Sequence, residues 1–132
     1  MGQYHILYNI DNDEYVHPHR LGMGLKQREH LGGDASLADV LYMLVMTSPH
    51  RGGGDLPETL ISGRWAGDRV VVLGDYTEDN DIRGTRNAGT FYERAVSSPD
   101  VFDISAEVTL AIEKVWKIKT ERANGIYRRV LN

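Results

Sequence analysis

The sequence predicts an α+β fold, a small antiparallel sheet of two hairpins with two main helices packed on one face. Three observations predict it: alternating apolar residues near the amino terminus, a helical apolar stripe from position 37, and a second stripe beyond position 104. The predicted order is strand, strand, helix, strand, strand, helix, which is typical of an antiparallel sheet covered by helices. Because 132 residues without an internal repeat suit one domain, we expect residues 1–132 to form a single domain.

The first hairpin is predicted over residues 3–17. The stretch QYHILYNI alternates, with Tyr4, Ile6 and Tyr8 on one face of a strand. The following DNDE supplies turn residues, because Asp and Asn tolerate left-handed dihedrals and bond their own backbone. The stretch EYVH then returns as the second strand.

The second hairpin is predicted over residues 60–75, in TLISGRWAGDRVVVLGDY. Gly67-Asp68 suits a two-residue turn, and this register places Trp65 opposite Val70. The stretch RVVVL is apolar on both faces, so we expect it to form a central strand of the sheet.

The two main helices are predicted over residues 36–47 and 104–123. Ser36 is a suitable N-cap for the first helix. The pair Asn124-Gly125 is interpreted as the stop signal of the second. The residues expected in the core are Leu41, Leu44, Val71, Ile112, Val115 and Trp116.

Composition narrows the class of protein. The net charge of −4 argues against a nucleic-acid binder, which needs a basic surface. No apolar run approaches the length of a membrane span, and the amino terminus lacks the pattern of a signal peptide, so we expect a cytoplasmic protein. The chain has no cysteine, which excludes disulfides and thiolate metal sites, and the sequence predicts no cofactor.

Two glycine-rich stretches carry cations beside flexible backbone. HRLGMGLKQR and SPHRGGGDL both offer N–H groups and guanidinium or ammonium groups, a combination suited to an anion. We expect the two loops to meet at one site for a nucleotide-like anionic small molecule, which a short distance between Gly22 and Gly53 would establish. The predicted ligand-binding residues are His19, Arg20, Lys26, Arg51, Gly52, Gly53, Gly54 and Asp75.

Two further classes of function remain open, so the sequence does not decide whether the protein is an enzyme. His17 and His19 stand two apart and, with Asp75, have the residue types of a metal-assisted hydrolase. Pro18 disturbs that pair, and we therefore predict no structural metal. The third class is an accessory protein that binds another protein through its acidic loop or its basic C-terminal region. The oligomeric state is also left open.

Four stretches together resemble a known group of proteins. MGQY, PHRLGMGLK, RGGGDL and GRWAGDRVVVLGDY are similar to stretches found in short proteins of bacteria, archaea and their viruses. The resemblance covers roughly the first 76 residues. The group has no established activity, so the resemblance implies no catalytic residue. It implies that the four stretches belong to one architectural unit.

Overall fold

The fold class is α+β, as the sequence predicts. The structure, a computed structural model, describes residues 3–23, 33–48, 51 and 56–131. Its strands and helices in chain order are β1 (His5–Asn9), β2 (Glu14–Val16), α1 (Leu37–Val45), β3 (Val70–Gly74), α2 (Phe91–Ser97), β4 (Phe102–Asp103), α3 (Ser105–Trp116), β5 (Ile118–Ala123) and β6 (Ile126–Leu131). They form a four-stranded sheet in the order β3-β1-β2-β4 and a separate two-stranded sheet of β5 and β6.

The first hairpin is confirmed: β1 and β2 pair antiparallel, with Leu7 opposite Val16. The side chain of Asn9 holds the turn between them, because its Oδ1 accepts the N–H groups of Asp11 and Asn12 at 3.0 and 2.9 Å. β3 pairs antiparallel with β1, whereas the short β4 pairs parallel with β2.

The sheet carries a cluster of buried apolar side chains on each face. Leu7 and Val16 belong to one cluster, together with buried residues of α1 and α3. Ile6 and Tyr8 belong to the other, together with residues of α2. The two main helices therefore share one face, and α2 covers the opposite one.

The predicted second hairpin is wrong. Residues 60–67 form successive turns, and Trp65 does not lie in a strand opposite Val70. The N–H groups of Gly63 and Trp65 donate to the carbonyls of Met43 and Leu44 in α1, at 2.9 and 2.8 Å. The segment is thus attached to a helix end, and the hairpin signal is overridden by this tertiary contact.

The predicted central position of RVVVL is also wrong. β3 lies at the edge of the sheet, and the side chain of Val72 is 49% exposed. The central strands are β1 and β2, because each pairs on both sides.

The second main helix ends earlier than predicted. It begins at Ser105 but stops at Trp116, where Lys117 takes a left-handed φ of 61°. Asn124 and Gly125, interpreted as a helix stop, are instead the turn between β5 and β6, with φ values of 52° and 78°. Two successive positive φ values are typical of the two-residue turns that match the twist of a hairpin.

The expected core is confirmed at Leu44 and Ile112, which are buried, and only in part at the other four positions. Those four are half-buried side chains at the edge of the two clusters: Leu41, Val71, Val115 and Trp116. Fully buried Trp65 was missing from the expected core. In the described ranges, no helix combines the length and apolar character needed to cross a membrane.

Candidate functional site

A cleft of about 560 Å³ lies between the turn that follows β2, helix α3 and the β5–β6 hairpin. Its lining combines guanidinium groups, hydroxyl groups and an aromatic ring from separate parts of the chain. The polar and aromatic side chains include Arg20, Asp103, Thr109, Thr120, Arg122 and Tyr127. Because these groups converge in a concavity, the cleft is the candidate site.

Arg129 fixes the hairpin against the turn that follows β2. Its guanidinium donates to the carbonyl oxygens of Leu21, Asp34 and Ala35, at 2.8, 3.2 and 2.7 Å. Burial lowers the pKa of Arg129 from its ordinary value. The side chain is therefore engaged in holding the fold, and it is not available to a ligand.

The register of the hairpin decides which side chains reach the cleft. Arg122 lies opposite Tyr127, and Thr120 lies opposite Arg129. Alternate residues of a strand share a face, so these side chains are on the same side of the hairpin as the buried Ile118. Arg122 and Tyr127 consequently face the body of the protein at the cleft.

The two guanidinium groups of the cleft differ in their partners. The Cζ atom of Arg122 lies 5.5 Å from the centre of the Tyr127 ring, within cation–π distance. Among the described residues, no ion pair involves Arg122. Arg20 forms an ion pair with Asp103, and its side chain remains 46% exposed. An incoming anion would meet Arg122 directly and would compete with Asp103 for Arg20.

His19 and Arg20, both predicted site residues, lie together in the turn after β2. Pro18 begins this short 3₁₀ turn, and proline suits a first helical position because it has no N–H to satisfy. The ring of His19 approaches the ring of Tyr127 edge-on, with 5.9 Å between centres. Through that contact His19 borders the cleft.

Asp75, another predicted site residue, lies at the end of β3 and contacts Tyr4. Its Oδ1 accepts the N–H of Tyr4 at 3.0 Å, and its own N–H donates to the carbonyl of Tyr4 at 3.0 Å. β1 lies between β3 and β2, so the distance between those two strands is roughly 10 Å by the usual strand spacing. The carboxylate beside Arg20 is that of Asp103, which sequence reasoning missed.

The other predicted site residues belong to the two glycine-rich loops. Arg51 is exposed, and its N–H donates to the carbonyl of Ser48 at 3.4 Å. Lys26 and the range 52–54 (Gly52, Gly53 and Gly54) fall outside the described residues. The expected approach of Gly53 to Gly22 falls outside them as well.

Among the residues that the structure describes, the histidine pair does not converge with a third metal ligand. The ring centres of His17 and His19 are 6.2 Å apart. Within the described ranges, no three His, Asp or Glu side chains are placed to hold one metal ion, so Asp75 does not complete such a group. The backbone N–H of His17 donates to Ser105 Oγ at 2.9 Å, which attaches the end of β2 to α3.

The acidic loop uses two of its carboxylates to hold its own backbone. Asp79 Oδ1 accepts the N–H of Gly89 at 3.0 Å, and Asp81 Oδ2 accepts the N–H of Glu78 at 2.9 Å. The loop borders a second cleft, of about 520 Å³. Its use as a contact for a protein partner stays a prediction.

Arg122, Tyr127 and Thr120 are the cleft residues that sequence reasoning did not find. The prediction of a helix through residue 123 hid Thr120 and Arg122, because residues two positions apart do not share a face of a helix. Tyr127 lay beyond that helix, where no partner strand was predicted for it. The signal that could have found them is Asn124-Gly125 between two alternating stretches, which is a strong short-range signal for a hairpin.

A partly exposed polar cluster around the buried Tyr8 joins the first hairpin to α2. The hydroxyl of Tyr8 donates to Asp13 Oδ1 at 2.8 Å and accepts a hydrogen bond from Arg94 at 2.9 Å. Arg94 also pairs with Asp13 at 2.9 Å. Burial raises the pKa of Tyr8 to about 12, and the hydrogen bond to Asp13 acts in the same direction.

We therefore expect Tyr8 to ionise at a pH above the ordinary tyrosine pKa of 10.0 in an alkaline titration. Because the folded pKa of Tyr8 is above its ordinary value of 10.0, its contribution to stability is complete below pH 10 and is lost as the pH rises through about 12. Tyrosinate absorbance checks this, with Tyr8→Phe removing one group from the late phase. Loss of a group that titrates near pH 10 would contradict the assignment.

Comparison of the chain with protein-family models, with curated proteins and with solved structures finds no match.

Proposed function

We propose that the protein is a non-enzymatic binding module for an anionic, nucleotide-like small molecule, held in the cleft by Arg20 and Arg122. The observation that carries the proposal is the convergence of these two guanidinium groups, from separate elements, in one cleft of about 560 Å³. Guanidinium groups suit phosphate oxygens because they donate two parallel hydrogen bonds. A chain with a net charge of −4 holds an anion only where its cations are locally gathered.

The remaining lining supports a ligand that also has a planar ring. Leu110 borders the cleft and is 56% exposed, which is a large exposure for a leucine. Tyr127 adds an aromatic surface, and Thr109 and Thr120 add hydroxyl groups. Apolar surface beside a few convergent polar groups is typical of small-molecule sites.

The glycine-rich loops belong to the same proposal. The first loop leaves the turn that carries His19 and Arg20, and we assign Lys26 a contact with the anion. The second loop would bring Arg51 and residues 52–54 to the ligand.

Calorimetry with inorganic pyrophosphate and with a nucleoside triphosphate tests the proposal. We expect Arg122→Ala to weaken binding by roughly tenfold or more, since a charge-assisted hydrogen bond contributes about 1.5–3 kcal/mol. Arg128→Ala is the matched control, because Arg128 is an exposed arginine on the opposite face of the same hairpin. Failure of both probes to bind, or an equal effect of the two variants, would refute the proposal.

Asp103→Asn is expected to change the affinity for the anion in the opposite direction to Arg122→Ala. The variant removes a negative charge from the cleft and releases Arg20, so we expect it to tighten binding severalfold. An asparagine Oδ1 can still accept the N–H of Ser105, which Asp103 accepts at 2.9 Å.

Arg51→Ala tests the contribution of the second glycine-rich loop. Weaker binding of pyrophosphate without a lower melting temperature would indicate that the loop reaches the ligand.

A further inference from the structure

The outer edge of β3 is unpaired in the described part of the chain. β3 pairs with β1 on one side, and its sequence Val-Val-Val-Leu-Gly is apolar throughout. Val72, at the centre of the strand, has a side chain that is 49% exposed. An exposed apolar edge of this kind is a template for pairing with a further strand.

The hydrogen bonds at the two ends of β3 show which backbone groups face outward. The carbonyl of Arg69 accepts the N–H of Ile10 at 2.8 Å, and the N–H of Asp75 donates to Tyr4 at 3.0 Å. Residues 69 and 75 therefore direct their backbone groups toward β1, and the uninterrupted register gives residues 71 and 73 the same direction. The backbone groups of Val70, Val72 and Gly74 consequently point away from the sheet.

We infer that the protein forms a symmetric dimer in which two copies of β3 pair antiparallel, with Val72 on the two-fold axis. In this register Val72 lies opposite Val72 of the second copy, and Val70 lies opposite Gly74. Each residue whose backbone groups point outward then lies opposite another such residue of the second copy. Four hydrogen bonds form without the Gly74 carbonyl, which already accepts the N–H and the hydroxyl of Thr77 at 3.2 and 2.7 Å.

The charges at the two ends of β3 favour a second copy as the partner. In the same register Arg69 lies opposite Asp75 of the other copy, and Asp75 opposite Arg69. Arg69 also pairs with Asp11 of its own copy at 2.9 Å, but its side chain remains 60% exposed and open to a second carboxylate. The two residues are separated by an even number of positions, so their side chains share a face of the extended sheet. Opposite charges directly across a strand pair are stabilising, whereas a strand with the same charge at both ends would repel itself in this arrangement.

Cysteine cross-linking tests the register, since the chain has no cysteine of its own. Directly opposite residues of a hydrogen-bonded antiparallel pair have Cα atoms about 5.5 Å apart, within the span of a disulfide. We expect Val72→Cys to form a covalent dimer rapidly under mild oxidation. Val96→Cys is the control, because Val96 is similarly exposed, at 40%, on α2. Equal cross-linking of the two variants would overturn the proposal.

Sedimentation of the cysteine-free chain tests the dimer itself. We expect a concentration-dependent dimer that Val72→Lys converts to a monomer, since two lysines would meet at the axis. Val96→Lys should leave the dimer intact. A wild-type monomer at every soluble concentration, or a dimer that persists in Val72→Lys, would overturn the proposal.

Discussion

Replacing Trp65 by alanine is expected to destabilise the protein by about 3–5 kcal/mol, the usual cost of deleting a large buried aromatic side chain. Trp65 is completely buried and packs in the cluster between the sheet and helices α1 and α3. Its indole N–H donates to Glu14 Oε1 at 2.8 Å. The substitution therefore removes apolar contacts and also leaves a partly buried carboxylate without one of its donors.

Chemical denaturation measures this loss, with Trp116→Ala as the control. Trp116 is the other tryptophan of the chain, and it is half-buried at the edge of the same cluster. We expect its removal to cost less than half as much. If Trp116→Ala costs as much as Trp65→Ala, Trp65 does not anchor the core as the structure indicates.

The same contact makes stability depend on pH. Burial alone would raise the pKa of Glu14, but hydrogen bonds from Arg64 and Trp65 outweigh burial and hold the pKa below its ordinary value of 4.5. A carboxyl group with a lowered folded pKa stabilises the fold above its unfolded pKa, and this stabilisation is lost as the pH falls through the folded value. Trp65→Phe should reduce the loss of stability below pH 4.5, because one of the two donors is gone.

Sequence patterns correctly predicted the elements that are fixed by bonds between neighbouring residues, namely the start of α1 and the turn between β1 and β2. Ser36 accepts the N–H of Asp39, and Asp39 in turn accepts the N–H of Ser36, so the predicted start of α1 is a complete capping box. The turn between β1 and β2 follows equally from short-range bonds made by Asn9. The start of α1 and the turn are therefore both fixed by bonds between residues a few positions apart.

The elements that were predicted wrongly depend on distant contacts. Gly67 follows a hairpin pattern in the sequence, yet the preceding turns are attached to α1 and Trp65 is bonded to β2. Helix α3 stops where Lys117 adopts a left-handed φ, a conformation that favours glycine and that no sequence pattern indicates for a lysine. The chain after Lys117 forms the β5–β6 hairpin, with Asn124-Gly125 as its turn.

The candidate site was predicted in part for the same reason. Arg20 and His19 stand beside glycines in the sequence, and this pattern singled them out. Arg122 and Tyr127 meet only because two strands pair, and Asp103 meets Arg20 across 83 positions of the chain. A pattern within one stretch of sequence cannot indicate such partners.

Gly22 lies where the turn after β2 contacts the hairpin of the candidate site. Its replacement is expected to cause the second large loss of stability. Gly22 has a φ of 76°, in the left-handed region, and ends the turn that carries Arg20. A Cβ atom there would lie 2.8 Å from Arg129 Cγ and 3.0 Å from the Arg129 backbone nitrogen. The Arg129 side chain and backbone would have to shift by a few tenths of an ångström, so β6 would be pushed away from the turn that follows β2.

Gly22→Ala is therefore expected to destabilise the protein by about 1–3 kcal/mol from the left-handed backbone, with a further loss from the displaced hairpin. Gly84→Ala is the matched control, because Gly84 has a φ of 82° and no atom within 4 Å of the added Cβ. The difference between the two variants isolates the close approach of β6. Denaturation of both variants measures it, and equal losses would show that contact with Arg129 plays no part.

Hydrogen exchange locates the damage and connects it to binding. In Gly22→Ala, we expect faster exchange of the amides in β5 and β6, because Arg129 can no longer donate to Leu21 in the same geometry. Arg122 and Tyr127 belong to the displaced hairpin, so the affinity for pyrophosphate should fall as well. In Gly84→Ala, both the exchange of these amides and the affinity should match the wild type. Unchanged protection of the hairpin in Gly22→Ala would contradict the role of Gly22 in seating it.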